Sequence, residues 1–436
     1  MKKTKKILVF AYALSPHRGS EYSVAWNYLN EMSKEHRLTV LYGTNGEHLG
    51  DFLPVETLQQ FFPDGRVRFI PVPPSRWVLL LNVLNRWKIC CYSFYLAYHF
   101  WQNSVFQMVQ KLIREEDFDL IHYLGPIGYR EPGYLWTLPL PYIWGPVGGL
   151  RNIPPALLKT LPFGGRFKLT ARSIINSYQQ MFSLRVRKAF AQADVVLAAT
   201  QENSDIIWKR YHIKAEYIPE NGIIGKISAN LKNEKFEFQK IKLIWVGRLD
   251  ANKALKTLLD ALAEIKGKVR FHLDVVGDGP LKNSLLKYAE MSGLSDNITW
   301  HGHVARECVF NLFQSEHVHI ITSCNEGNPT VLFEAMASGI PTISLDHCGM
   351  HDTLCEQCGI RIPISNYKQI VSELGNCIIR LYHHPEEVKR LSEGTVMCAK
   401  KYTWDKRREF FNRQYDKAIV HYNSIHNSAE KDARYH

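Results

Sequence analysis

Two carboxylates, Glu326 and Glu334, are separated by seven residues in a segment whose pattern suits a sugar-containing ligand. The apolar run HVHIIT comes just before Glu326, which lies in a turn with glycine and proline, and Glu334 lies in a small apolar helix that ends at Gly339. A strand, a turn and a helix start present free backbone N–H groups, which favour an anion. Because carboxylates accept hydrogen bonds from hydroxyl groups, the segment predicts a sugar nucleotide as the ligand.

Two basic side chains follow an earlier predicted strand in the run KLIWVGRLD. Gly247 lets the backbone approach a ligand closely. Arg248 offers a planar fork suited to phosphate oxygens, and Lys253 adds a second positive charge five residues later. Two solvated surface cations are the alternative, but the carboxylate pair downstream favours a diphosphate site at the end of this strand.

The N-terminal half carries a weaker set of candidates. Gly19, in the run RGSE, opens the first predicted helix and could let main-chain amides approach phosphates. His122 lies at the end of a predicted strand in FDLIHYLG, where a histidine could hydrogen-bond a sugar. A structural histidine with satisfied hydrogen bonds is the alternative for this position.

These motifs occur in one order along residues 243–346: VGR followed by Lys253, then GDGP, then the paired glutamates with EAMASGIP. In this order and spacing the chain resembles the family 4 retaining glycosyltransferases of the GT-B fold. The N-terminal half resembles them less, because many members have His-x-His where this chain has His122 and Leu124. The runs PYIWGPVGG and PENG are similar to the branch that builds bacterial surface polysaccharides.

The resemblance implies a role for each of the charged residues. Glu334 would bind ribose hydroxyls, Glu326 would bind hydroxyls of the donor sugar, and Arg248 and Lys253 would neutralise the departing nucleoside diphosphate. The resemblance would make His122 a catalytic residue beside the sugar. It places the remaining donor-binding residues in the glycine loops and around the start of the glutamate helix: Gly19, Gly247, Gly277, Gly279, His303, Gly327, Asn328, Pro329 and Thr330.

The same resemblance implies a metal-independent transfer without a cofactor. Two cations can carry the leaving-group charge, and the chain has no Asp-x-Asp motif at the end of a predicted strand. Retention without an evident protein nucleophile indicates front-side transfer through an oxocarbenium-like state. A glycosidase would instead place its two carboxylates across the scissile bond.

Short apolar runs alternate with amphipathic stretches along the whole chain, which predicts βαβ units and parallel sheets. The fold class is therefore α/β, with two Rossmann-like doubly wound domains facing each other across a cleft. We expect strands at 6–12, 37–42, 67–72, 119–123, 141–144 and 194–198, and then at 241–246, 270–276, 298–301, 317–322 and 340–344. The expected domains are 1–222 for the acceptor, a linker at 223–240, 241–403 for the donor, and 404–436 as a helix that crosses back to the first domain.

The composition indicates a globular protein with a basic N-terminal half. The 436 residues include 45% hydrophobic and 22% charged residues, with a formal net charge of +12. Residues 1–222 hold 26 lysines and arginines against 17 acidic residues, and the remainder holds 28 against 25. The excess of positive charge in the N-terminal half favours binding to an anionic membrane surface. No motif for binding RNA or DNA is present.

An aromatic and basic segment, residues 76–114, is the candidate for membrane contact. It is too polar to span a bilayer, so the alternatives are a helix in the membrane interface or a domain helix with one buried face. The N-terminal run ILVFAYAL resembles a signal peptide, but it also fits a first buried strand, which we favour.

The nine cysteines are scattered and odd in number, which fits a reducing cytosol. Cys348, His351, Cys355 and Cys358 have the look of a zinc site, but a single Cys-x2-Cys pair is only half of one. The segment directly follows the glutamate helix, where similar enzymes have a Gly-containing loop beside the donor. The resemblance therefore implies that it lies near the donor, and we expect it to bind no metal.

The sequence therefore predicts a cytoplasmic hexosyltransferase on the inner face of the plasma membrane. It would move a hexose, with retention, from a UDP- or GDP-sugar to a lipid-linked glycan in exopolysaccharide, capsule or O-antigen synthesis. The alternatives are a sugar-nucleotide epimerase of the same fold, a non-catalytic membrane-associated partner, and a basic RNA-binding protein. The family 4 spacing argues against an epimerase, and the intact set of Arg248, Lys253, Glu326 and Glu334 argues against a non-catalytic partner. The absence of a readable RNA-binding motif argues against an RNA-binding protein.

Overall fold

The chain forms two compact units in a computed structural model. Unit 1 comprises Met1–Arg151, Tyr178–Glu220 and Trp404–His436, and unit 2 comprises Asn152–Ser177 and Asn221–Thr403. The structure describes residues 3–16, 21–44, 53–87, 89–90, 93–158, 163–229 and 231–433.

Each unit contains one parallel sheet. Unit 1 has a sheet of seven described strands in the order β3-β2-β1-β4-β5-β6-β7, and unit 2 has six in the order β10-β9-β8-β11-β12-β13. The strands are β1 Lys6–Ala11, β2 Arg37–Gly43, β3 Val67–Val72, β4 Leu120–Gly125, β5 Tyr142–Val147, β6 Val195–Ala198, β7 Ala215–Tyr217, β8 Ile241–Val246, β9 Phe271–Val276, β10 Ile298–Gly302, β11 Val318–Ile321, β12 Thr342–Leu345 and β13 Gly359–Ile362.

Helices connect the strands, as parallel strands require. They are α1 Glu21–Met32, α2 Val55–Gln60, α3 Arg76–Leu81, α4 Val83–Arg86, α5 Ser93–Glu115, α6 Pro155–Leu158, α7 Phe163–Phe182, α8 Leu184–Gln192, α9 Gln201–Tyr211, α10 Leu255–Ile265, α11 Lys282–Met291, α12 Arg306–Ser315, α13 Thr330–Ala337, α14 Cys348–Thr353, α15 Tyr367–His383, α16 Pro385–Ala399 and α17 Trp404–Ala433. Short 3-10 turns occur at Leu135–Thr137, Asn233–Phe236, Ser295–Asn297 and Lys400–Tyr402.

Both faces of each sheet are buried, so its strands are apolar on both sides. In β1, Leu8 and Phe10 belong to a core cluster with α5, whereas Ile7 and Val9 belong to a cluster with α1 and α17. This division follows from the alternation of side chains along a strand. It confirms the predicted α/β class with two doubly wound domains.

The C-terminal helix α17 packs on unit 1, as predicted. Phe411 and Tyr415 are fully buried in its core. Arg408 pairs with Glu31, and its Nε lies 2.9 Å from an Oε1 atom of Glu35. Apolar burial combined with a partly buried charge network therefore fixes the returning helix to the first sheet.

The predicted strand positions agree with the observed ones to within a few residues. Two short strands at sheet edges, β7 and β13, were not predicted, because a charged residue interrupts each short run: Glu216 in β7 and Arg361 in β13. The segment predicted as a linker packs on unit 2: Phe236 is buried in its core, and the N–H of Ser228 donates to the carbonyl of Ala337 over 2.8 Å.

The aromatic segment at 76–114 forms α3, α4 and most of α5. One stripe of α5, including Tyr98, Trp101 and Val105, is buried against the sheet of unit 1. Large apolar side chains of α3 and α4 face solvent instead, with Trp77 76% exposed and Trp87 69% exposed. Among the described residues, no helix is both long and apolar enough to cross a membrane.

Candidate functional site

The loop after β8 is held against the loop after β9 by backbone contacts. The N–H of Gly247 donates to the carbonyl of Val276 over 2.9 Å. Gly277 has φ of +136°, and a Cβ atom there would lie 1.9 Å from the carbonyl oxygen of Gly247. A Cβ at Gly279 would lie 2.5 Å from the carbonyl oxygen of Leu249. These glycines are therefore required for the two loops to touch.

Lys253 and Glu326 form an ion pair in unit 2. Lys253 Nζ lies 2.5 Å from Glu326 Oε1, and both side chains are about four-fifths buried. Lys253 immediately precedes Ala254, which has a left-handed backbone conformation and is the N-cap of α10. The structure thus brings together a cation and a carboxylate that the sequence placed 73 positions apart.

Arg248 lies in the same loop but is little constrained by its neighbours. Its side chain is 71% exposed, and its Nε is 3.8 Å from Asp250 Oδ2. A long separation between exposed charges contributes little stability. The guanidinium can therefore change rotamer to meet an anion at small energetic cost.

Glu334 lies on α13 and pairs with Arg306, at the start of α12. Arg306 Nη2 is 2.7 Å from Glu334 Oε1, and the Glu334 side chain is 13% exposed. Burial raises the pKa of the Glu334 carboxyl, and the positive charge of Arg306 opposes this shift. Arg306 is a site residue that the sequence analysis missed, because nothing in the run VARECVF indicates a partner 28 positions away.

The turn that carries Glu326 is tied to its surroundings by backbone hydrogen bonds. Asn252 Nδ2 donates to the carbonyl of Asn325 over 3.0 Å, and Asn221 Nδ2 donates to the carbonyl of Asn328 over 3.0 Å. The N–H of Gly349 donates to the carbonyl of Gly327 over 2.8 Å. Side chains and amides from three separate segments therefore fix the turn before α13.

The start of α13 follows this turn directly. Pro329 occupies the N-cap position with φ of −64°, and Thr330 is the first helical residue. The helix ends at Ala337, and Gly339 follows in the left-handed conformation. As in any α-helix, the first backbone N–H groups of α13 have no intrahelical partner, and they lie between the two carboxylates in the sequence.

His303 follows β10 and is exposed. Its neighbour in the preceding strand, His301, binds Asp274, with Nε2 2.6 Å from Oδ1. In the loop after β9, the exposed Asp278 accepts a 2.7 Å hydrogen bond from Lys282, and this contact lowers the pKa of Asp278. His303 is thus the histidine of this pair that remains open to a ligand.

His122 lies in the core of unit 1 and is fully buried. Its Nε2 is 2.8 Å from the carbonyl of Gly145, and its Nδ1 is 3.0 Å from Tyr28 Oη and 3.1 Å from Tyr415 Oη. Burial lowers its pKa to about 4, so the ring is neutral and donates from Nε2. This is the structural alternative that the sequence left open, and it corrects the expectation that His122 contacts a sugar.

Gly19 lies outside the described residues. The structure separates the residues of the zinc-like pattern Cys348, His351, Cys355 and Cys358, for which no metal was expected. Cys348 Sγ lies 3.1 Å from His347 Nδ1, and His351 Nδ1 lies 2.7 Å from Asp346 Oδ1. Cys355 and Cys358 instead lie together with Cys398 of α16. The zinc-like pattern in the sequence is therefore not the arrangement found.

Comparison with known proteins places these residues in one family model. Residues 227–395 match the model described as glycosyl transferases group 1. Glu326, Glu334, Arg248, Lys253 and Arg306 all fall inside this range.

Individual relatives match over part of the chain. A mannosylfructose-phosphate synthase of Agrobacterium fabrum is 26% identical over 37% of this chain and 39% of its own length. The lipopolysaccharide 1,6-galactosyltransferase of Escherichia coli K12 is 34% identical over 25% of this chain and 31% of its own length. The chain spans less than half the length of these curated relatives.

Solved structures resemble the whole chain in fold. Alr3699/HepE of Anabaena, solved in complex with UDP, has a TM-score of 0.58 at 13% identity, covering 94% of this chain and 99% of its own. At this identity the likeness establishes the fold alone, which is of the GT-B type.

The buried His122 predicts a specific dependence of stability on pH. Its folded pKa of about 4 is below the unfolded value near 6.5, so the unfolded state binds the proton first as pH falls. The neutral His122 therefore does not lower the free energy of unfolding above about pH 6.5. Below that pH the free energy of unfolding falls progressively until about pH 4. Between pH 7.5 and 5, the loss of unfolding free energy should be about 2 kcal/mol smaller in His122→Asn than in the unchanged protein.

Urea unfolding of the full chain at both pH values measures this difference. An identical pH slope for His122→Asn and the unchanged protein would contradict the buried, neutral state.

Proposed function

We propose that this chain, a group 1 glycosyltransferase by the match of residues 227–395, transfers a hexose with retention from a UDP- or GDP-sugar to a lipid-linked glycan acceptor. The observation that carries the proposal is the pair of carboxylates around the start of α13, each beside a cation: Glu326 with Lys253 and Glu334 with Arg306. Two lipopolysaccharide 1,6-galactosyltransferases among the relatives support a role in cell-surface polysaccharide synthesis.

The donor diphosphate would be held at the loops after β8 and β9. Lys253 would exchange its contact with Glu326 for the phosphates, and Arg248 would swing onto them from its exposed position. The glycines at 247, 277 and 279 keep side-chain bulk out of this region. The two cations would stabilise the charge that develops on the leaving group, so the transfer step needs no divalent metal.

The two carboxylates would then hold hydroxyl groups rather than exchange protons. Glu326, released from Lys253, would accept hydrogen bonds from the donor sugar, with the amides of Gly327 and Asn328 nearby. Glu334 would accept both ribose hydroxyls, and the positive charge of Arg306 opposes the rise in its pKa that burial causes. Pro329 and Thr330 would present the helix start to the sugar, and His303 would lie beside the base. Unit 1 would bind the acceptor.

Solved structures of the same fold support a uridine nucleotide as the donor. Alr3699/HepE was solved with UDP and also with UDP and glucose. Together with the galactosyltransferase relatives, this favours UDP over GDP and a hexose as the transferred group.

Glu326→Ala tests the transfer reaction. Removing the group that orients the donor sugar should lower turnover of the preferred UDP- or GDP-hexose at least about 100-fold, because a charged hydrogen-bond acceptor contributes mainly in the transition state. UDP affinity and the melting temperature should stay close to those of the unchanged protein. Release of nucleotide and extension of a lipid-linked glycan acceptor are the measurements.

Glu264→Ala is the matched control, since Glu264 is exposed on α10 of the same unit. Full turnover in Glu326→Ala would contradict the assignment. Conversion of the sugar nucleotide without any acceptor would indicate an epimerase, and binding without consumption would indicate a non-catalytic partner.

Glu334→Gln separates nucleotide binding from folding. Burial raises the pKa of this carboxyl, so the ionised form costs stability that a neutral amide does not. The variant should keep or raise the melting temperature and bind UDP about 10–100-fold more weakly, because charged hydrogen bonds to the ribose are lost. Isothermal titration and thermal unfolding measure both effects.

Glu316→Gln is the control for Glu334→Gln. Burial also raises the pKa of Glu316, but this residue precedes β11 at the opposite end of the strand from Glu326. It should alter stability and leave UDP affinity unchanged. Unchanged UDP affinity in Glu334→Gln would remove Glu334 from the binding site.

The exposed apolar surface of unit 1 supports membrane association of the enzyme. We define the aromatic patch by five side chains on and just after α3 and α4, all at least 45% exposed: Trp77, Leu80, Leu84, Trp87 and Ile89. Arg76 and Arg86 are exposed in the same two helices. Apolar side chains flanked by cations suit the interface of an anionic bilayer, where a lipid-linked acceptor would be found.

The double variant Trp77→Ala/Trp87→Ala should bind vesicles of phosphatidylcholine with phosphatidylglycerol at least about tenfold more weakly, because two large apolar side chains no longer enter the interface. Co-sedimentation measures the binding. Trp208→Ala removes an exposed tryptophan of α9 outside the patch and should bind as the unchanged protein does. Equal binding by the double variant would contradict membrane docking through this patch.

A further inference from the structure

Three cysteine sulfurs converge in unit 2. Cys355 and Cys358 lie in the turn after α14, and Cys398 lies near the end of α16. Cys355 Sγ is 3.6 Å from Cys358 Sγ and 3.3 Å from Cys398 Sγ, and the three sulfurs all lie within 4.8 Å of one another. Among the described residues, no other group of three His, Cys, Asp or Glu side chains has this geometry.

The geometry of the trio suits a tetrahedral metal ion with three sulfur ligands. Zinc–thiolate bonds of about 2.3 Å at tetrahedral angles place ligand sulfurs about 3.8 Å apart. Two hydrogen bonds close the Cys-x2-Cys turn: the N–H of Cys355 donates to Cys358 Sγ over 3.3 Å, and the N–H of Cys358 donates to the carbonyl of Cys355 over 2.9 Å. The N–H···S bond helps to orient the Cys358 sulfur as a ligand.

We propose that Cys355, Cys358 and Cys398 bind one zinc ion, whose fourth position is open to water. Cys358 and Cys398 are buried, whereas Cys355 is partly exposed and gives the ion its route of entry. Binding forms three Zn–S bonds, and the three thiol protons are released to solvent. This structural site replaces the expectation of no metal in this segment, and it supplies no step of the proposed transfer.

The zinc site would stabilise the helix that carries Glu334. Cys358 and Cys398 belong to one apolar cluster with Leu332, Phe333 and Met336 of α13. An ion that joins the turn after α14 to α16 therefore links two segments that both pack against the apolar side chains of α13. The stabilisation should be visible in thermal unfolding without any sugar nucleotide.

The experiment titrates the reduced, metal-free full chain with Zn²⁺ and, as a spectroscopic probe, with Co²⁺. One equivalent should bind, Co²⁺ should give a thiolate-to-metal charge-transfer band, and saturating Zn²⁺ should raise the melting temperature by about 5 °C. Cys355→Ser and Cys398→Ser should each lose the band and weaken binding at least tenfold. Cys308→Ser changes an exposed cysteine of α12 and should retain both.

Three results would overturn the zinc site. They are a reduced protein that gives no charge-transfer band, a Cys398→Ser variant that binds Co²⁺ with an unchanged band, and a trio that forms only a Cys355–Cys398 disulfide under mild oxidation without binding zinc when reduced. Cys355→Ser, at a partly exposed position, keeps the test valid if Cys398→Ser does not fold. Metal binding is measured without substrate, so its failure leaves the proposed transfer untouched.

Discussion

The parallel direction of the strands in unit 2 is the constraint on which the candidate site depends. Because β8, β9, β10 and β11 all run the same way, the residues that follow them emerge at one edge of the sheet. Gly247, Gly277 and His303 each follow one of these strands, and Glu326 follows the fourth. The loops after β8 and β9 can touch at this edge only because Gly277 has φ of +136° and no Cβ.

Charge compensation is the second requirement of this edge. Burying Glu326 and Glu334 costs solvation, and Lys253 and Arg306 recover part of that cost. A neutral residue at position 334 would avoid the cost. Carboxylates held in this way, with a raised pKa at Glu334, are typical of residues kept for binding rather than for stability.

Unit 1 illustrates how a strand-end histidine can be either a ligand contact or a core residue. From its sequence alone, His122 could be a ligand contact or a core residue, because both kinds of histidine follow buried apolar runs. The structure decides in favour of the core, since the hydroxyls of Tyr28 and Tyr415 and the carbonyl of Gly145 occupy both ring nitrogens. Tyr415 comes from a helix almost 300 positions later, so local pattern carries no signal for this contact. Local sequence likewise gives no signal that Cys398 lies beside Cys355 and Cys358, because about 40 residues separate them.

The sequence by itself determined the α/β class, eleven of the thirteen described strands, the return of the C-terminal helix to unit 1, and the family resemblance of the motifs from Gly247 to Glu334. These properties are encoded locally, in apolar periodicity and in short motifs with fixed spacing. Only the tertiary structure decided which charges meet: Lys253 with Glu326, Arg306 with Glu334, and three thiols with one another. Such pairs are set by the packing of separate elements, and side-chain contacts across tens of residues leave no periodic trace in a single chain.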